Sequence, residues 1–150
     1  MKRLMILAVC TGMVWGCGKS ATITGPGGGT ESLEVVSAVT LVSGHITTVT
    51  PQVRFNAKDG RACYVDSFLV TFPDTNGTLL NCLKDIFAGR GEGTLVNGGT
   101  TVDLGAWAIT GAPNEACYPA NIAGHGNYKV VAWGTWDGVV HQSAVYSWTW

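Results

Sequence analysis

From Val49 to Ala57 every second residue is apolar: Val49, Pro51, Val53, Phe55 and Ala57, with Gln52, Arg54 and Asn56 between them. A period of two places one set of side chains on each face of an extended strand, and no helix buries that set on one side. The same rhythm recurs in Leu33, Val35, Ser37, Val39 and Leu41. It recurs again in Tyr64, Phe68, Val70 and Phe72. Turn dipeptides punctuate these runs: Asp59-Gly60, the cluster Pro73-Asp74-Thr75-Asn76-Gly77, Asn97-Gly98-Gly99 and Asp137-Gly138. Short strands at regular spacing predict an all-β sandwich or barrel.

The middle of the chain is less regular. Leu79, Leu83 and Phe87 stand four apart, with Gly89 to cap, which allows a short helix. Residues 94–96 and 100–108 read as strands, and a long connection over 110–126 carries Pro113, Cys117 and Pro119. The clearest hairpin comes last, where residues 128–135 and 139–150 flank Asp137-Gly138.

The first thirty residues are of another kind. Met1-Lys2-Arg3 precedes an apolar run, Leu4 to Val14, too short to span a bilayer, and a small residue, Gly16, stands before Cys17. Val14-Trp15-Gly16-Cys17 resembles the lipobox of bacterial lipoproteins, with Val14 and Gly16 at matching positions and Trp15 between them. The resemblance implies cleavage before Cys17 and a diacylglyceryl group on its thiol. It also implies palmitate-type acylation and attachment to the outer membrane or cell surface. The alternative is an ordinary secretory signal cut near Gly16 or Ala21, which releases a soluble protein. Residues 1–16 are thus expected to be signal peptide and 17–30 a tether rich in glycine, because Gly25 to Gly29 with Pro26 cannot bury enough surface to order. A flexible chain of that length spans about 20 Å. Residues 31–150 have the size of one domain.

Charge excludes some partners. The chain has nine Lys and Arg against ten Asp and Glu, and losing Lys2 and Arg3 takes the net charge from −1 to −3. No basic cluster survives to bind nucleic acid. Gly18-Lys19-Ser20 has the tail of a phosphate-binding loop, but Met13 stands where the motif needs glycine.

The sandwich expectation has a more specific form. Gly126-Asn127-Tyr128-Lys129-Val130 resembles the Gly-x-Tyr-x-Cys signature of the penultimate strand in immunoglobulin-like domains, with Val130 at the cysteine position. This implies an immunoglobulin-like or fibronectin-III-like antiparallel β-sandwich of about seven strands, with the Tyr128 hydroxyl bonding back to the preceding loop. It also implies that Cys82 and Cys117 lie in loops at one end and Cys63 at the other, so that Cys82 and Cys117 form a disulfide and Cys63 stays a buried thiol.

Catalytic constellations are missing from the pattern. His45, His125 and His141 have no metal-ligand spacing, and no carboxylates pair by position. Asp74-Thr75-Asn76-Gly77 lacks the downstream glutamate of a calcium loop and reads as a turn. The expectation is a non-enzymatic domain with neither metal nor cofactor. It works in binding or structural display, with a glycan or protein as ligand. If Asp137-Gly138 is a two-residue turn, Trp133 pairs with Gln142 and Lys129 with Tyr146. Trp133, Tyr146, Trp148 and Gln142 then share an outer face that suits a carbohydrate-binding module, while Val145 joins Tyr128, Val130 and Ala132 in the core. A bulge in this hairpin reverses that assignment.

Overall fold

The computed structural model describes residues 31–57, 59–87, 92–110 and 123–150. Cys17, the tether and Cys117 lie outside the described residues. The ten named elements are all strands: β1 (Ser32–Ser43), β2 (Ile46–Asn56), β3 (Ala62–Pro73), β4 (Leu79–Asp85), β5 (Thr94–Asn97), β6 (Thr101–Asp103), β7 (Trp107–Thr110), β8 (Asn127–Trp136), β9 (Val139–Gln142) and β10 (Tyr146–Thr149).

They form two antiparallel sheets. In the first, β2 lies between β1 on one side and β6 and β7 on the other. In the second, β3 and β8 are central, with β4 and β5 beside β3 and β9 and β10 beside β8. Three sheet positions are each split between two short strands, so ten strands occupy seven positions. The chain makes a hairpin in the first sheet, crosses with β3, returns beside β2 and crosses again to place β8 beside β3. This is the order of an immunoglobulin-like sandwich.

Alternation explains the core. Val49, Val53 and Phe55 of β2 face Cys63, Val65, Phe68, Val70 and Phe72 of β3 and Tyr128, Val130 and Ala132 of β8, all essentially without exposure. Each such large side chain contributes about 1.5–3 kcal/mol on burial. Rings join the sheets: Phe55 packs on Trp136 at 4.8 Å, and Phe68 meets the edge of Trp107 at 6.0 Å.

The expected helix near Leu83 is replaced by β4. A spacing of four satisfies a period of two as well as one of 3.6, and the alternate set Leu80, Cys82, Lys84 and Ile86 turns inward. The expected strand over residues 100–108 is two strands, broken around Gly105, whose φ is 86°.

Bulges overturn three facing assignments. In β1 the register shifts between Val35 and Ser37, so Leu33 and Val35 are buried but Val39 and Leu41 turn outward, and Ala38 and Thr40 take the inner side. In β3 it shifts between Val65 and Ser67, which puts Tyr64 outside while Phe68, Val70 and Phe72 stay in. The third bulge lies in the last hairpin. Asp137 and Gly138 have φ of 51° and 74°, the signs of a type I′ turn, and Trp136↔Val139 to Trp133↔Gln142 pair as expected. Ser143 then takes both backbone groups of Ala132: its N–H donates to the carbonyl at 2.8 Å and its hydroxyl accepts from the amide at 3.0 Å. Beyond it the ladder resumes one residue out of step, with Tyr146 opposite Val130 and Trp148 opposite Tyr128.

Tyr128 forms the expected corner. Its hydroxyl donates to the Gly124 carbonyl at 2.9 Å, and burial pushes the phenol up to about 12. Only glycine fits at 124, because a Cβ there would stand 2.2 Å from the Asp74 carbonyl oxygen.

Candidate binding face

The outward side of the second sheet is built row by row from its register. One row runs Val140–Thr135–Tyr64–Leu95, the next Gln142–Trp133–Ser67–Asp85, and the third Val131–Leu69–Leu83. Lys129, Thr71 and Asn81 follow. Tyr64 is 53% exposed, Leu83 54%, Leu95 46% and Val140 62%, which leaves an uncovered apolar strip with polar margins. Asp66, the extra residue of the β3 bulge, accepts the Thr135 hydroxyl on Oδ2 at 2.6 Å and so fixes a carboxylate between Tyr64 and Trp133.

Of the four residues expected here, the structure brings two together. Trp133 and Gln142 are cross-strand partners on the outer face. Tyr146 and Trp148 instead pack against the core, because the extra residue after Ser143 flips their parity. For the same reason Val145, expected inside, is 58% exposed. Trp148 donates its indole N–H to the Thr40 hydroxyl at 2.9 Å and ties β10 to β1 across the sandwich. Tyr64 is the residue that alternation missed. Its signal was the adjacent polar pair Asp66-Ser67 inside an otherwise alternating strand, which marks a bulge.

The tryptophans differ in their partners. Trp107 donates to the Leu104 carbonyl at 2.8 Å. Trp136 lies between Phe55 and His141, the latter stacked at 3.7 Å. Trp150 stacks on His125 at 4.3 Å and meets Tyr128 edge-on. Trp133 alone among the described tryptophans has neither a ring partner nor an acceptor for its indole N–H.

Buried chemistry lies inward. Cys63 is a free, fully buried thiol, raised to about 12 by burial and then by the charge of Asp66. Cys82 is buried in β4, not in a loop, and is disulfide-bonded, its partner lying outside the described residues. Lys84, two residues on, is also buried, and burial lowers its ammonium below the usual value. The Asp74 segment is a turn: Oδ1 accepts from the N–H groups of Asn76 and Thr78, each at 2.8 Å. Among the described residues no three His, Cys, Asp or Glu side chains are grouped to hold a metal.

Comparison with protein-family models, curated proteins and solved structures finds no match to this chain.

Proposed function

We propose that this is a bacterial cell-envelope lipoprotein whose sandwich serves in binding or structural display and carries out no catalysis. The observation that carries the reading is Val14-Trp15-Gly16-Cys17 after a basic start and a short apolar run, followed at once by a Gly-rich stretch that ends where the first strand begins. In this reading Cys17 bears the lipid and residues 17–30 the slack. Two acyl chains suffice for stable anchoring, since burial contributes about 0.8 kcal/mol per methylene.

The geometry of the sandwich bears on what is displayed. Arg61 reaches Glu31 at 3.3 Å and Asp137 at 2.7 Å, so Glu31 lies at the end that holds the β2–β3 and β8–β9 turns. The β1–β2 turn, the β3–β4 turn and Trp150 lie at the far end. The non-catalytic part of the reading rests on scattered titratable groups, with His125 and His141 each taken up by a tryptophan ring. We further assign Cys117 as the partner of Cys82.

Metabolic labelling with an alkyne palmitate in a bacterial host tests the anchor. The wild-type chain is expected to take label and partition with membranes, and Cys17→Ser to lose both. Unlabelled wild type with an N-terminus at Ala21 would overturn the lipid and support a secreted domain.

A further inference from the structure

We infer that the outer face of the second sheet binds a neutral polysaccharide, with Trp133 and Tyr64 as the stacking rings. This rests on the reading of the sandwich as a binding domain, but not on the lipid. The first ground is the state of the rings. Every other described tryptophan is used by the protein, through its indole N–H or by ring packing, whereas Trp133, half-buried on the outer side, has no ring partner and no acceptor for its indole N–H. Tyr64 has no ring or hydrogen-bond partner either, and it is 53% exposed.

The second ground is placement. Tyr64 is opposite Thr135 and Trp133 opposite Ser67, so the two rings sit on neighbouring strands two positions apart. Such diagonal neighbours are about 7–8 Å apart at their Cα atoms. They rise from a sheet whose centre is fixed by core packing, so little is spent on ordering them. A ring presents an apolar face and, through Tyr O–H or Trp N–H, a polar tip. Pyranose rings have the complementary form, with C–H faces and hydroxyl rims.

Charge selects among ligands. Gln142 and Ser67 flank Trp133, and Asp66 stands between the two rings. Carboxylates accept from sugar hydroxyls but repel phosphate, sulfate and uronate groups. Among the described residues Lys129 is the positive group of this face, in the last row. A second copy laid on the same face would bring like charges toward the same rings. The Asp66 carboxylate beside the rings therefore disfavours an anionic chain, and the hydroxyl and amide groups around them suit an uncharged, hydroxyl-rich one.

Affinity electrophoresis of the full chain in detergent, through gels holding a soluble β-glucan, a xylan or a galactomannan, tests this against alginate and dextran sulfate. At least one neutral polymer should retard the chain and the anionic ones should not. Trp133→Ala and Tyr64→Ala should each weaken retardation about tenfold while near-UV circular dichroism stays native, and Trp133→Phe should lose less. The inference is overturned if no neutral polymer binds, if the anionic polymers bind better, or if binding survives both alanine variants. Sedimentation that shows a dimer dissolved by Trp133→Ala, without glycan binding, would assign the face to a second copy. Because the assay does not depend on Cys17, its failure and a failure of palmitate labelling are separate results.

Discussion

Replacing Tyr128 with phenylalanine removes one oxygen from the centre of the fold and leaves the ring contacts in place. The ring lies 6.0 Å from Phe72, 5.3 Å from Trp148 and 5.8 Å from Trp150, and phenylalanine keeps all three. What disappears is the hydroxyl bond to the Gly124 carbonyl. A hydrogen bond contributes about 1 kcal/mol net, and a buried carbonyl left without that partner costs up to about as much again. The expected loss is therefore about 1–2 kcal/mol, or about 4–8 °C in Tm for a domain of this size. Urea unfolding followed by tryptophan fluorescence measures it.

The same hydroxyl has a pH signature. Burial raises the folded-state pKa from 10.0 to about 12, so the folded protein keeps this proton where the unfolded chain gives it up. The contribution is complete below pH 10 and fades as pH climbs toward 12, at up to about 1.4 kcal/mol per pH unit. Tyr128→Phe should abolish this group's share of the alkaline fall. An unchanged urea midpoint, or an alkaline limb identical to wild type, would refute the corner as a stabilising contact.

Trp148→Ala should cost roughly 3 kcal/mol, because it empties an inner-face site and strips the Thr40 hydroxyl of its donor, whereas Trp133→Ala should cost under about 1 kcal/mol. Paired urea titrations decide between them, and equal losses would place both rings on one face. Cys63 should resist Ellman's reagent at pH 8 until urea unfolds the domain, since it is fully buried and its thiolate is suppressed. Fast labelling of the native chain at this position would contradict the burial. Cys82→Ser and Cys117→Ser should each destabilise by roughly 4 kcal/mol from loop entropy. The double variant should be no worse than either, and additive losses would dissolve the proposed bridge.

Much of the frame was legible in local chemistry. The Asp137-Gly138 turn follows from two residues that tolerate positive φ, and both adopt it. The β2 alternation held from Val49 to Phe55 because that strand runs through the middle of its sheet without a bulge inside the stretch. Tyr128 was readable from five residues because the corner is made within its own loop, four positions back. The candidate face was only half legible. Trp133 and Gln142 lie on the turn side of the hairpin bulge, where counting from the turn is safe. Tyr146 and Trp148 lie beyond it, where one uncounted residue reverses the answer.

Local chemistry suffices to make this chain extended and turned at particular dipeptides, because a period of two and a left-handed turn are properties of adjacent residues. Tertiary structure alone decided which rings face water. Val39 and Ala38, Tyr64 and Val65, Val145 and Tyr146 are neighbouring pairs in which either member is apolar enough for the core. The choice falls to a single inserted residue: in β1, in β3 at Asp66, and after Ser143, where the serine satisfies both backbone groups of Ala132. Such an insertion is stabilised by partners on another strand, so outside the Asp66-Ser67 pair of β3 the flanking sequence does not reveal it.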